Sequence, residues 1–310
     1  MKVNILMATY NGERFLAEQI ESIRQQTFDN WQLLIRDDGS SDATRQIIQD
    51  FVAQDNRIRF VNPDTIENIG VINSFHTLLK QEQADFYFFS DQDDVWLPEK
   101  LSLCLETAQA YEPDRPLLVY TDLSVVDDGL NLITQSMIKS QSHHANTSLR
   151  QELTENTVTG GTMMINHALA EKWSQTDGLL MHDWYLALLA SGLGQLVYLD
   201  VPTELYRQHD ANVLGARTWS KRMKNWLRPH QLVEKYWWLI KASQKQANYL
   251  LQERLSSADR DLVSAYVTLL DQPFLERIKI LHKYKLAKNR WFHTLVFRSL
   301  IISKFGYRRN

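Results

Sequence analysis

The chain reads as an α/β domain on a mostly parallel, doubly wound sheet, followed by an all-helical region. Three observations predict this. Short apolar strands alternate with amphipathic helical runs from Val3 to Phe89. Near Gly215 that rhythm gives way to long, basic, aromatic-rich helical stretches. Charge divides at the same point: residues 1–215 carry 14 basic and 31 acidic side chains, residues 216–310 carry 20 and 6, so a net charge of −3 conceals balances of −17 and +14. Such a split implies two bodies with different partners, with expected domains of 1–215 and 216–310.

The elements follow in order. Val3 to Ala8 is strand-like, and Glu13 to Gln26 places Phe15, Leu16, Ile20 and Ile23 on helical spacing. Trp31 to Ile35 is a second strand; Asp37-Asp38-Gly39-Ser40-Ser41-Asp42 is the turn into a helix from Ala43 to Gln54. A short strand spans Ile58 to Val61, Asn68-Ile69-Gly70 turns into a helix from Val71 to Lys80, and Phe86 to Phe89 is a buried strand. Leu117 to Leu123 is a further strand, Ile138 to Ser148 a polar stretch, and Gly160 to Ile165 a turn and strand. His182 opens a helical run from Asp183 to Ala190, and Gln195 to Leu199 is the last clear strand.

With 310 residues, 44% hydrophobic and 23% charged, the chain is globular and long enough for one sizeable core plus an appendage. The single cysteine, Cys104, excludes an internal disulfide framework, and no targeting segment precedes the first strand, so a cytosolic setting is expected. No window approaches the roughly 18 apolar residues of a membrane-spanning helix.

Function is written most densely in Ser90-Asp91-Gln92-Asp93-Asp94-Val95-Trp96, directly after Phe86-Tyr87-Phe88-Phe89. Three carboxylates past the end of a buried strand stand where open α/β sheets keep their ligands. They repel one another, and a divalent cation relieves that; oxygen ligands suit Mn²⁺ or Mg²⁺, which bridge carboxylates to a nucleotide diphosphate. The plainer alternative is a solvated turn with Asp93 or Asp94 as a helix N-cap. The first loop, Ala8-Thr9-Tyr10-Asn11-Gly12-Glu13, has one glycine, so it lacks the Gly-x-Gly-x-x-Gly of dinucleotide folds, and no Walker-type Gly-Lys-Ser/Thr occurs. A nucleotidylyltransferase should carry a glycine-rich first loop with Arg and Lys, also absent. Tyr10 could stack on a base and Asp38 accept its imino N–H, unless Asp38 is only a turn residue before Gly39.

Ala8-Thr9-Tyr10-Asn11-Gly12, Asp37 to Asp42 and Asp91-Gln92-Asp93-Asp94 together resemble the nucleotide-sugar signature of family 2 inverting glycosyltransferases with the GT-A fold. The resemblance covers about residues 1–215. It implies that Thr9, Tyr10, Asn11, Glu13 and Asp38 hold the nucleoside, that Asp91 serves the ribose and diphosphate, and that Asp93 is the direct metal ligand. Inverting transfer needs a carboxylate that takes the acceptor's proton from the side opposite the leaving group. His182-Asp183-Trp184 is similar to the family's acidic helix-start motif, which makes Asp183 the base; His182 departs from the usual first acid. Without that context Asp183 is simply a favourable first-turn acid. Tyr206-Arg207-Gln208-His209 with Asn212 resembles the late segment that closes over the diphosphate, with Arg207 neutralising it and His209 binding metal or phosphate. Gly160-Gly161-Thr162 is expected as a backbone wall near sugar and acceptor, and His143 with His144 as a solvated pair.

The tail interleaves Trp219, Trp226, Trp237, Trp238, Trp291 and Phe292 with Lys221, Arg222, Lys224, Arg228, Lys283, Lys285, Lys288 and Arg290. Basic helices carrying tryptophan dock on anionic membranes, and Lys288 to Arg309 is the strongest candidate, offering Trp291, Phe292, Leu295, Val296, Leu300, Ile301 and Ile302. The alternative is a bundle packed on the catalytic domain or forming a homodimer, especially for Val233 to Leu255; nucleic acid is disfavoured by the acidic first part. Within its family the Phe89 to Leu101 run looks most like bacterial rhamnosyltransferases. This implies dTDP-β-L-rhamnose as donor, a lipid-linked saccharide as acceptor and a peripheral place on the inner face of the membrane. A UDP-hexose or UDP-HexNAc donor, or a non-catalytic nucleotide-sugar-binding scaffold, are the alternatives.

Overall fold

The computed structural model describes residues 1–209 and 229–308. Asn212, the boundary at Gly215, Trp219, Lys221, Arg222, Lys224, Trp226, Arg228 and Arg309 lie outside the described residues.

In chain order the first part runs β1 (Val3–Thr9), α1 (Leu16–Arg24), β2 (Trp31–Asp37), α2 (Thr44–Gln54), β3 (Ile58–Phe60), α3 (Val71–Gln81), β4 (Phe86–Ser90), β5 (Val95–Trp96) and α4 (Lys100–Ala108). It continues through β6 (Leu117–Val126), β7 (Leu132–Thr134), α5 (Leu149–Thr154), β8 (Met163–Asn166), α6 (His167–Ala170), α7 (His182–Leu193) and β9 (Gln195–Arg207). The later helices are α8 (Pro229–Tyr249), α9 (Ser257–Val267), α10 (Phe274–Lys283) and α11 (Trp291–Ser303). The α/β domain and the helical region after it are therefore both present.

Among the described residues nine strands form one sheet, in the order β3-β2-β1-β4-β8-β6-β9-β5 with β7 on β6. Its first half is parallel, as the βα rhythm predicts. β8 then enters antiparallel between β4 and β6, and β5 pairs antiparallel with β9. The sheet is thus more mixed than repeated βα units imply, because the less regular stretch after α4 lets the chain reverse.

Both faces of the sheet are covered, so its central strands are apolar throughout rather than alternating. Val3, Ile5 and Met7 of β1 face a core closed by Leu16, Ile20 and Ile23 of α1, Ile48 of α2, and Leu101, Cys104 and Leu105 of α4. Leu6 points to the other side, as the two-residue period of a strand requires. There it joins Phe75 and Leu78 of α3, Leu186 to Ala190 of α7, and Tyr236, Trp237, Ile240, Leu281, Phe297, Leu300 and Ile301 from the later helices. The helices after residue 229 thus share one apolar layer with α3 and α7. α7 is apolar nearly all round because it lies between the sheet and these helices.

That packing revises the reading of the tail. Leu300 and Ile301 are buried in the core rather than available to a lipid surface, and Trp237 is buried beside exposed Trp238. Lys288 donates from Nζ to the Thr154 carbonyl, and burial lowers its pKa. What remains outside is Phe274, Leu275 and Ile278 on α10, Trp291, Phe292 and Leu295 on α11, and Phe305. No helix of the described residues is long and apolar enough to cross a membrane.

β9 is longer than its sequence suggests. Asp200 and Pro202 break the apolar run, yet the strand continues through register shifts opposite Thr121 to Ser124. Bulges of this kind bend a strand and absorb a proline. The bend carries the end of β9 past β5, where Glu204 opposes Trp96, and delivers Arg207 to the acidic turn.

Candidate active site

Phe88 and Phe89 of β4 are wholly buried and paired with Ile5 and Leu6, so the chain leaves the sheet at Ser90 with its acids beyond the strand end. Asp94 is buried; its Oδ1 accepts the backbone N–H of Arg207 at 3.0 Å, and its Oδ2 has no hydrogen-bond partner among the described residues. Burial, then the charges of Glu204, Asp93 and Asp91, holds the Asp94 carboxyl well above the ordinary range. Asp91 is raised for the same reasons, with burial first, then Asp93, Glu204 and Asp183; Lys100 acts in the opposite direction. Neither Asp93 nor Asp94 is a helix cap, since α4 begins only at Lys100 behind Glu99.

The end of β9 closes over this turn. Arg207, 2% exposed, donates from Nε to the Asp93 carbonyl at 3.0 Å, from one terminal nitrogen to the Asp128 carbonyl and from the other to the Glu18 carboxylate. Its guanidinium carbon lies 4.4 Å from the Phe15 ring centre, a cation–π contact. His209 also packs on Phe15, ring centres 5.1 Å apart, with Nε2 2.7 Å from Oδ2 of Asp93. One carboxylate and one imidazole therefore meet at a point. This donor set suits Mn²⁺ or Mg²⁺, which commonly take their other positions from phosphate oxygens and water. Among the described residues no three His, Cys, Asp or Glu side chains form a metal cluster by themselves. The residues fit a cation shared with a diphosphate, not a closed structural site.

The first loop is fastened to both neighbours. Gln92 accepts the Tyr10 N–H at 2.8 Å and donates to the Tyr10 carbonyl at 2.9 Å, which leaves the Tyr10 ring exposed. Asn11, in the left-handed region at φ 48°, donates its N–H to Ser40 and accepts from the Ser41 N–H. Glu13 accepts the Ala43 N–H at the start of α2, and Thr9 donates to Asp37. Asp38 is buried against Arg36, 2.7 Å away, and accepts the N–H groups of Ile69 and Gly70. Gly39 follows with φ 88°, a turn that favours glycine.

A second wall comes from α7 and the Gly160–Thr162 turn. Asp183 is buried in the first turn of α7 and accepts the N–H groups of Trp184 and Gly160. Burial nonetheless dominates and pushes its carboxyl up to about 7. It lies within electrostatic reach of Asp91. His182 stacks among Phe75, Phe89 and Trp173, neither ring nitrogen has a hydrogen-bond partner among the described residues, and burial pushes its pKa down to about 3. It is a neutral ring next to Asp183 in the chain, facing Gly160 closely enough that a Cβ there would sit 3.1 Å from Nε2.

The fold thus brings Asp91, Asp93, Arg207 and His209 together, fastens Thr9, Tyr10, Asn11 and Glu13 beside them, and places Asp183 within electrostatic reach of Asp91. His143 and His144 are exposed. Sequence reasoning missed Gln92, Glu18 and the buried ion pair of Lys100 and Glu204. Gln92 lay inside the motif, but nothing local marks Glu204, whose role depends on the continuation of β9.

The sequence profile of Glycosyl transferase family 2 matches residues 4–173, and the chain belongs to that family. Among curated relatives it is 29% identical over 224 residues to the dTDP-rhamnosyl transferase RfbG of Shigella flexneri, covering 68% of this chain and 74% of that protein. It is 37% identical over 101 residues to an Escherichia coli UDP-Glc:alpha-D-GlcNAc-diphosphoundecaprenol beta-1,3-glucosyltransferase, WfgD, covering 33% of this chain and 38% of that one. Residues 1–349 of S. aureus TarS, solved with UDP-GlcNAc, superpose at a TM-score of 0.61 with 17% identity, over all of this chain and 93% of that one. A mannosyltransferase of Pyrobaculum calidifontis, solved with GDP-Man and Mn²⁺, gives 0.54 with 12% identity over 98% and 88%. These two structures show a shared GT-A fold, as the motifs imply.

The raised carboxyls set a pH dependence of stability. Asp183, Asp91, Asp94 and Glu152 are all raised, chiefly by burial, so the folded chain keeps protons that the unfolded chain loses above about pH 4. Their contribution is complete below that value and is lost as pH rises through the folded values, about 7 for Asp183. His182 opposes this only below the ordinary histidine value of about 6.5. The melting temperature of the ligand-free protein is therefore expected to be higher near pH 6.5 than near pH 8.5, by roughly 2 °C or more. A flat or reversed slope in a thermal melt would contradict the protonated cluster.

Proposed function

We propose that this glycosyltransferase moves L-rhamnose from dTDP-β-L-rhamnose onto a lipid-linked glycan, with inversion. The observation that carries the reading is that Asp93 meets His209 at the acidic turn on one wall, while the buried carboxyl of Asp183, near neutrality, lies on a second wall within electrostatic reach of Asp91. Likeness to RfbG supports the donor.

In this reading Tyr10 stacks on the base, while Thr9, Asn11, Glu13 and Asp38 shape the nucleoside side through their turn contacts. Asp91 serves the ribose and diphosphate. Arg207 holds Asp93 from behind and places positive charge under the diphosphate end. Asp93 and His209 would hold Mn²⁺ or Mg²⁺, which supplies charge stabilisation for the departing diphosphate. Asp183 accepts the acceptor hydroxyl's proton as that oxygen bonds to the anomeric carbon; the carbon–oxygen bond to the diphosphate breaks, and dTDP leaves with the electron pair. Attack from the face opposite the diphosphate turns a β-linked donor into an α-linked product. A carboxyl near 7 is suited to taking a proton at neutral pH.

dTDP release with a synthetic lipid-linked rhamnosyl acceptor tests this against UDP-glucose, UDP-GlcNAc and UDP-galactose. The expected outcome is acceptor-dependent turnover of dTDP-rhamnose, abolished by chelation, with kcat rising through about pH 7. Asp183→Asn should lower kcat about 10²- to 10⁴-fold. Turnover of a UDP-sugar alone would overturn the donor, and nucleotide binding without any turnover would favour a scaffold.

The exposed residues of α10 and α11 support a peripheral place on the inner face of the cell membrane. Trp291, Phe292, Leu295, Phe274 and Leu275 are flanked by exposed Lys279, Lys283 and Lys285. Apolar side chains ringed by basic ones suit an anionic lipid surface. Residues 216–310 then form a docking region, and a homodimer is the competing use of the same patch. Vesicles containing phosphatidylglycerol should sediment the protein, and Trp291→Ala with Leu295→Ala should weaken partitioning at least about tenfold. Unchanged sedimentation, with dissociation of a dimer instead, would assign the patch to a second subunit.

A further inference from the structure

Lys100 and Glu204 are completely enclosed, at 0% exposure each, with Nζ and Oε2 2.5 Å apart. Lys100 also donates to the Gly161 carbonyl and lies 4.1 Å from the Trp96 ring centre. The second Glu204 oxygen, Oε1, has no hydrogen-bond partner among the described residues. An ion pair in such a place is a poor source of stability, because desolvating two charges offsets most of their attraction. A well-packed apolar pair would serve a core as well.

Its location is more telling than its energy. Lys100 opens α4, one short strand beyond the acidic turn. Glu204 lies on β9 opposite Trp96, just ahead of Arg207 and His209. Gly161 belongs to the single helical turn whose Gly160 N–H donates to Asp183. The three partners of Lys100 therefore come from the acidic turn's exit, the strand that closes the donor end, and the wall that carries the base. Gly161 permits this approach: a Cβ there would come within 2.5 Å of Oε1 of Glu204.

We propose that the Lys100–Glu204 pair is a positioning device for transfer, fixing the spacing between the Asp93–His209 wall and the Asp183 wall. The inference rests on reading Asp183 as the base. A charged pair with a shared carbonyl fixes direction as well as distance, which an apolar contact does not. Misplacement of reacting groups by about 1 Å costs roughly 10²-fold in rate. Neither residue touches the substrate in this account; both act through the segments they hold.

The test is Lys100→Met with Glu204→Gln in one chain, which removes both charges and leaves no lone buried ion. It is assayed beside wild type and Asp183→Asn with the donor accepted in the panel above. The expected result is a folded protein that binds the nucleoside diphosphate with Mn²⁺ within about threefold of wild type, while kcat falls at least about tenfold. The midpoint of the kcat–pH profile should stay in place as its plateau falls. Wild-type kcat in the double variant overturns the proposal, as does a loss of kcat that only tracks a loss of nucleotide affinity. If the double variant does not fold, Gly161→Ala disturbs the same contact from the other side and should show the same split; full kcat there overturns it too. Were Asp183→Asn to keep wild-type turnover, the base reading would fall and this inference with it. Loss in Asp183→Asn with full activity in the double variant defeats this inference alone.

Discussion

The site depends on one buried guanidinium. Arg207 reaches Asp93, Asp128 and Glu18 from a single side chain, and its own N–H binds Asp94. The acids beyond β4 repel one another and are poorly solvated, so left alone the turn would open toward water. Arg207 supplies a positive charge and fixed directions beneath it. α1, the β6–β7 hairpin and the acidic turn are thereby joined to the end of β9. Its planar fork suits this, since its donors are held in fixed, diverging directions, whereas the three donors of a lysine ammonium rotate about one compact point.

Around that clamp the molecule accepts local instability for chemistry. Asp94 and Glu152 are buried with carboxyls far above their ordinary range, and Asp183 is moved to about 7. Each would be better solvated in an unfolded chain at neutral pH. The compensation lies in the two apolar layers of the sheet, where Phe88, Phe89 and Leu186 to Ala190 are nearly solvent-free. Rigid layers also keep the two walls at a fixed separation, because α7 is held between the sheet and the later helices. The helical region thus shares the core that holds α7, even as its outer face remains exposed.

Much of this could be read in the sequence, for physical reasons. An apolar tetrad followed by three acids is a local pattern, and local patterns survive folding; so do the first loop and the Asp37 to Asp42 turn. The burial of Asp183 is not legible locally, because a first-turn acid looks the same whether it is solvated or buried. What stayed hidden depends on distant contacts. Glu204 and the full length of β9 were concealed by Asp200 and Pro202, which end an apolar run without ending the strand. In the tail, hydrophobic content marks Leu300 and Trp291 alike, and only packing decides that one is buried and the other exposed.

The donor wall is proposed to be assembled by Asp93 and His209 around a cation shared with the diphosphate. The most direct measurement is a crystal structure with dTDP and Mn²⁺, using the anomalous signal of manganese to place the metal. The account expects a manganese peak bonded to Asp93, His209 and diphosphate oxygens, with the thymine beside Tyr10 and Asp183 facing the terminal phosphate across an open space. Nucleotide bound in that pocket with manganese absent from Asp93 and His209, or held elsewhere, would contradict it.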